Sequence, residues 1–380
     1  GTALPGAVIL DLKRFDAVTV DPKNRMVTIG AGVNNRRLEE YLNLLGWTSG
    51  HFPQSMNSAS YGGLIATGSV GIFSGRYGKI EDMVVALEVV LPTGRILQTK
   101  SIPRRSTGPN LNAMFIGAEG AFGIITQATM KIWPVPERRI WATYTFPNTH
   151  AGLEAVQRLL GSEAQPALVR LYDEDEAAGR VSRFGFPQNS ALLLLCFEGS
   201  QGFIEWQSRE AGQIISSYAG VFHGDEAALH WYRCRYDTSG MLRYNQLPGG
   251  AADAIEVSAP WDRLEGVWRE MRRALEPLCE HVHCHFSHVY QTCGSVYVIF
   301  YARSSEDTCA AGIKIYEKCL AAALNACLAA GGSISHHHGV GRAKANWMEQ
   351  EHGPEALHLL FDLKHTLDPD GILNPGVLGL

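Results

Sequence analysis

Over its first 136 residues the chain alternates short β-branched runs with glycine-rich loops, and that alternation leaves little room for a helical bundle. The runs AVILDL, AVTV, MVTIGAGV, MVVALEVVLPTG and GIITQATMKIWPV are of strand length and are bounded by Gly, Pro or Asp. Between them, NNRRLEEYLNLLGW carries helical periodicity and ends at Gly46. An α+β domain with a glycine-rich loop system is expected from this pattern.

After PVPERR the pattern changes, so a second α+β unit is expected from about residue 137. WATYTFPNTHAGLEAVQRLLG reads as strand then helix, and PALVRLYD and SALLLLCFEG as further strands. HVHCHFSHVYQTCGSVYVIFYAR reads as two strands and a turn, and DTCAAGIKIYEKCLAAALNACLAAGG as a long helix stopped by Gly331 and Gly332. Residues 343–380 read as a helical segment and a Pro/Gly-punctuated tail. A chain of 380 residues exceeds the size at which one core keeps growing, which agrees with two domains.

A net charge of −5 and a pI near 6.3, with no block of Lys and Arg, argue against a nucleic-acid partner. The eight cysteines all lie in the second half without a CxxC pair, as expected of reduced thiols in an intracellular protein. No run approaches the roughly 18 apolar residues of a membrane span, and no secretory signal opens the chain, so it reads as soluble and unsecreted.

Three segments carry chemistry. HFPQSMNSASYGGLIATGSVGIFSGRYGKIEDMV is dense in Gly and Ser, whose small side chains let backbone N–H groups approach a phosphate or an aromatic ring; tight turns are the bland alternative. IGAEGAFGIITQATMKI places Glu119, Gly120 and Gly123 before a strand, and neither loop has a GxGxxG opening a helix. A cofactor held between strands and loops fits better than a Rossmann site. The third segment, GGSISHHHGVGR, is open to a metal, acid/base or anion-binding reading. In an extended chain His336 and His338 share a face that His337 opposes, so the three cannot converge on one ion, and acid/base or anion-binding work is preferred with no metal assigned. Arg170, inside the apolar LVRLY, needs an anionic partner if buried. Tyr297 and Tyr301 fall on one strand face, whereas the alternating His281, His283 and His285 read as an ordinary polar face.

PQSMNSASYGGLIATGSVG, YGKIEDMVVALEVVLPTG, STGPNL, IGAEGAFGIITQATMKIWPVPE, the histidine stretch and LDPDGILNPG occur here in the order in which the FAD-linked oxidases of the vanillyl-alcohol oxidase (PCMH-type) superfamily carry them. The resemblance covers essentially the whole chain. Within it, the D-2-hydroxy acid dehydrogenases carry SGEHGIG and an upstream GHxGDGNLH whose histidines bind a metal with that glutamate. Here His337 stands at the glutamate position, and SHVYQTCGSVYV keeps His288 but offers Tyr297. SHHHGVG, SHVY, PALVRLYD and SAPWDR instead resemble the alkyldihydroxyacetonephosphate synthases.

The resemblance implies an α+β fold: a PCMH-type FAD-binding domain over 1–136, an α+β cap with an antiparallel sheet over 137–330, and a histidine loop and helical tail over 331–380 returning to the FAD domain. GTALPGAV looks like the second half of the family's GGGTS phosphate loop, so the first subdomain is expected to be incomplete. Non-covalent FAD is implied, contacted by Gln54, Ser55, Met56, Ser58, Ala59 and Ser60, by Ser69, Val70, Gly71 and Ile72, and by Glu119, Gly120, Gly123, Ile124 and Ile125. The implied reaction exchanges the acyl group of an acyl-dihydroxyacetone phosphate for a fatty alcohol, with no net redox change. Tyr297 with His336, His337 and His338, His337 first, would move the substrate proton, and Arg170 would hold the departing carboxylate. Implied too are peripheral membrane contact for a lipid substrate, a homodimer, and a cytoplasmic place in a bacterium or a peroxisomal one in a eukaryote. The alternatives are an FAD-dependent oxidase or dehydrogenase of a small 2-hydroxy acid or alcohol, and a non-catalytic flavin-fold subunit; ATGSVGIFSGRYGK, which departs from the TRASG type of the ether-lipid enzymes, keeps the first of these open.

Overall fold

The computed structural model describes residues 4–237 and 239–380; the first three residues of GTALPGAV lie outside them. They form two compact units, 1–135 with 337–380, and 136–336.

In the first unit, β1 (Val18–Asp21), β2 (Met26–Gly30), β4 (Val84–Val90), β5 (Ile96–Gln98) and β6 (Ile124–Lys131) make an antiparallel sheet of order β1-β2-β6-β4-β5, while β3 (Trp47–Thr48) pairs with β7 (Trp133–Pro134). The helix Asn35–Leu44 starts at Asn34, whose side chain accepts from the Arg37 N–H, and buries Leu38 and Leu42. The short helix Tyr61–Ala66 begins against β2, where Gly62 donates to the Ala31 carbonyl at 2.8 Å. Gly62 must be glycine, because a Cβ there would lie 2.7 Å from the Cβ of Ala31. One expected strand is absent. AVILDL, residues 7–12, runs outside any sheet with Val8, Ile9 and Leu10 exposed, since β propensity alone does not make a ladder.

The second unit is built on seven antiparallel strands: β8 (Arg138–Phe146), β9 (Leu168–Tyr172), β10 (Ala191–Gly199), β11 (Val221–Phe222), β12 (Gly250–Pro260), β13 (His281–Ser287) and β14 (Cys293–Arg303), in the order β11-β8-β10-β9-β13-β14-β12. Residues directly opposite one another point to the same side of a sheet. Val257 therefore shares a face with Val296, Phe286, Leu171, Leu193 and Tyr144, one apolar row across six strands. Helices cover that face. Trp268 of the helix Trp261–Leu275 meets Phe286 edge-on at 5.8 Å, and a Cβ on Gly152 of the helix Thr149–Leu160 would collide with Leu171 at 2.7 Å. The helix Cys309–Ala329 buries the stripe Cys319, Leu320, Ala323, Leu324 and Cys327, and Gly331 follows it at φ +85°, the left-handed turn a helix end favours. Among the described residues no helix is long and apolar enough to cross a membrane.

Phe286 sits at the centre of the apolar row and is 1% exposed. Phe286→Ala is expected to lower stability by about 3–5 kcal/mol in a denaturant titration, and a loss under about 1 kcal/mol would show that the helices do not pack on this face as described.

Candidate active site

The same register that gathers the apolar row lines up a polar one on the opposite face. Glu256 pairs with Tyr297, Tyr297 with His285, and His285 with Tyr172. One step along, Ser258, Ser295, Ser287 and Arg170 follow one another in the same way. Four strands thus place an acid, two phenols, an imidazole, hydroxyls and a guanidinium side by side.

These groups are wired together. Arg170 Nε donates to the Tyr172 hydroxyl at 2.7 Å, and its guanidinium lies 5.0 Å from the Tyr172 ring and 5.2 Å from that of Trp231. His285 Nδ1 lies 2.8 Å from Glu176 Oε2 and 3.3 Å from Arg170 Nη2. One nitrogen cannot serve both as donor and acceptor; the shorter contact to a carboxylate puts the proton on Nδ1, and Arg170 then acts on the pair as a nearby cation. Burial, followed by Arg170, lowers the His285 imidazole to about 4, so it is neutral at pH 7. For Glu176 burial pulls upward, but His285, Arg170 and Arg180 outweigh it and hold the carboxyl below its usual range. The His285 ring stacks on Tyr297 at 4.5 Å and 21°. Burial pushes the Tyr297 phenol up to about 12, against a pull from Arg170, so it keeps its proton at neutral pH.

Glu256 has a different task. Fully buried, it accepts from Ser335 Oγ and from the His336 backbone N–H, both at 2.7 Å, while Ser333 exchanges backbone hydrogen bonds with Ser258. A carboxylate with two such donors is anchored, and it holds the start of the histidine stretch to the edge strand β12. The His336 ring stacks with His288 at 5.9 Å and with Tyr290 at 5.7 Å, and Trp261 Nε1 donates to the Tyr290 carbonyl at 2.9 Å. Arg170, Tyr297 and His336 therefore all belong to the second unit, whereas His337 and His338, whose rings meet at 4.5 Å, belong to the first.

Three residues of this cluster were not singled out by the sequence: His285, Glu176 and Glu256. HVHCHF reads as an ordinary polar face, and for His281 and His283, which turn toward Tyr301, the structure gives no more. His285 departs from that reading, being 2% exposed and bonded to Glu176. Only β9, which pairs with the end of β13 and not its beginning, distinguishes it from its neighbours.

In the first unit the second glycine-rich segment packs on the end of the helix Tyr61–Ala66, which lies within the first. Gly117 donates to the Ile65 carbonyl and Glu119 to that of Ala66, tying the segment 117–125 to the helix end. Gln54, Ser55 and Ser58 are exposed, Ala59 and Ser60 half-buried and Met56 buried. Ser69 Oγ lies 3.2 Å from His51 Nε2, Gly71 passes so close to Phe52 that a Cβ would meet its nitrogen at 2.6 Å, and Val70 is buried beside a half-buried Ile72. Gly123 packs on Val89, and Ile124 and Ile125 enter β6. The side chain of Glu119 is taken: its carboxylate accepts from the Val340 and Gly341 N–H groups at 2.6 and 3.0 Å, and the Asn374 amide donates to its carbonyl. Gly120 lies against that amide, at 2.8 Å from where its Cβ would be.

Two families of sequence match this chain. The FAD binding domain matches residues 1–100, and the C-terminal domain of FAD linked oxidases matches residues 135–378. The chain belongs to the FAD-linked oxidases, with the PCMH-type fold, and FAD is its cofactor. It is similar to an alkyldihydroxyacetonephosphate synthase of Caenorhabditis elegans, 28% identical over 96% of this chain and 66% of that protein. An uncharacterized FAD-linked oxidoreductase of Escherichia coli K12 is 30% identical over 99% of this chain and 80% of its own length. A solved alkyldihydroxyacetonephosphate synthase superposes with a TM-score of 0.76 at 26% identity, over 96% of this chain and 67% of that one. The chain thus spans just under two thirds of the nematode synthase.

The first unit fits a dinucleotide. His51 is fully buried, and its Nδ1 has no hydrogen-bond partner among the described residues. Gly117, at φ +74°, has nothing within 4 Å of where its Cβ would stand, which leaves backbone open beside Gly68.

The neutral His285 makes stability depend on pH in a defined sense. Its folded value of about 4 lies below the unfolded 6.5, so the native state binds fewer protons between them and loses stability as pH falls through that window. The stability difference between the wild type and His285→Gln is expected to shrink by roughly 3 kcal/mol from pH 7 to pH 4. A difference that stays constant over that range would show that folding leaves the His285 imidazole unshifted.

Proposed function

We propose that this protein is a flavin-dependent enzyme of the alkyldihydroxyacetonephosphate synthase type, which exchanges the acyl group of an acyl-dihydroxyacetone phosphate for a fatty alcohol and releases the fatty acid. The observation that carries the reading is the polar row Glu256–Tyr297–His285–Tyr172 with Arg170 beside it, on one face of the cap sheet. FAD, when bound, supplies a reversible acceptor for an electron pair.

The residues of the chain handle the proton and the charges. Tyr297, protonated at neutral pH and stacked on a neutral imidazole, carries a proton to or from the substrate carbon. The histidine stretch supplies the other proton carrier, and resemblance to the synthases assigns that part to His337 before His336 and His338. Arg170, with its orientation fixed by Tyr172 and by the Glu176–His285 pair, holds the carboxylate that departs as the fatty acid. The half-reactions balance: the alcohol oxygen enters the new C–O bond, the acyl carboxylate leaves with the old one, and the alcohol proton is released. Supporting the synthase reading over net oxidation is Tyr297 itself, which stands where the metal-dependent dehydrogenases place a second histidine. A lipid substrate further supports peripheral contact with a membrane surface, and a homodimer is proposed as the working form.

Tyr297→Phe is expected to slow formation of hexadecyl-dihydroxyacetone phosphate from the palmitoyl ester and hexadecanol by about 10²–10⁴-fold, with the flavin absorbance of the purified protein unchanged. An unaltered rate would remove Tyr297 from the mechanism. Failure of the wild type to form any ether product would remove the synthase reading.

A further inference from the structure

The helices behind the cap sheet hold a second reactive group. Of eight cysteines, all present as free thiols, Cys279 and Cys319 bring their sulfurs to 3.6 Å across 40 residues of sequence. Cys279 stands in the segment between the helix Trp261–Leu275 and β13, half-buried; Cys319 lies in the buried stripe of the helix Cys309–Ala329. Both belong to the second unit, on elements whose neighbouring ends carry the chemistry. Cys279 is two residues ahead of the strand that holds His285, and the helix of Cys319 runs on into the segment that Glu256 anchors.

A sulfur contact of this kind is a hydrogen bond between a thiol and its neighbour, and the 3.6 Å separation has to close to roughly 2.05 Å for a disulfide. Other demands on these thiols are not evident. Neither is a metal ligand with a third partner, and an alanine or valine would fill the helix stripe with less chemical exposure. The contact also sorts the pair electrostatically: sharing a proton with Cys319 raises the Cys279 thiol, and the bond from Cys279 lowers that of Cys319, which favours thiolate at the buried sulfur.

We propose that Cys279 and Cys319 form a reversible dithiol/disulfide modification site that fastens the entry of β13 to the long cap helix. With hydrogen peroxide as the oxidant, two S–H bonds are broken and one S–S bond forms; two electrons and two protons pass to the peroxide, giving two molecules of water. Dithiothreitol reverses the step by thiol–disulfide exchange. The site is separate from the ether-forming reaction and stands whether or not that reading holds.

The test uses the full chain loaded with FAD and freed of reductant. Treated with a small excess of hydrogen peroxide and then denatured, it is expected to lose two of its eight titratable thiols, and to regain them with dithiothreitol. Peptide mapping without reductant is expected to recover the Cys279 and Cys319 peptides as one linked species. Cys319→Ser is expected to abolish that species without the loss of thiols that accompanies it; should this variant fail to fold, the wild-type map alone decides. Retention of all eight thiols, a link between other cysteines, or oxidation of Cys279 to the sulfinic acid with Cys319 untouched would each overturn the proposal.

Discussion

The strand register of β9, β13, β14 and β12 is the constraint on which the rest of the cap depends. Because side chains alternate, a single set of pairings decides at once that Leu171, Phe286, Val296 and Val257 meet the helices and that Arg170, Ser287, Ser295, Tyr297 and Glu256 do not. A slip of one residue would carry the charged row into the helix-covered core. The apolar row thus fixes the polar one.

Burying charges on the polar face has a cost that the arrangement meets by pairing. Arg170 answers to Tyr172, His285 and Glu176, and Arg180 adds its guanidinium over the Tyr172 ring at 4.2 Å. Removal of one member would leave its partner charged and dry, which is why such a cluster is rigid. Glu256 plays the same part for the histidine stretch, with both oxygens engaged by donors on either side of the Ser335–His336 peptide. Such pairing suits the role proposed for Tyr297, since a proton carrier works only when its distance to the substrate is fixed.

Much of this was legible in the sequence, and the remainder was hidden for a physical reason. Runs such as MVTIG, ALLLLCFEG and the two strands around SHVYQTCG declare themselves through composition and turn residues, and Arg170 inside LVRLY announces the need for a partner. AVILDL has the composition of a strand yet joins no sheet, and local propensity carries no information about neighbours. His285 could not be told from His281 and His283, since all three alternate alike and only β9 makes the difference. Glu176 sits three residues past Asp173 in a helix's first turn, where acids are common for capping alone. Glu119, expected beside the flavin, gives its carboxylate to the N–H groups of Val340 and Gly341, a long-range contact that no spacing reveals.

The chemistry proposed for this polar face is an exchange at the flavin without net oxidation, and it has a direct spectroscopic signature. An anaerobic absorbance titration of the FAD-loaded protein with palmitoyl-dihydroxyacetone phosphate tests it most directly. The oxidised flavin band is expected to bleach with the acyl ketone phosphate and to return on adding hexadecanol in the absence of oxygen. Bleaching only by a small hydroxy acid such as D-lactate or glycolate, with colour restored only by an electron acceptor, would contradict it.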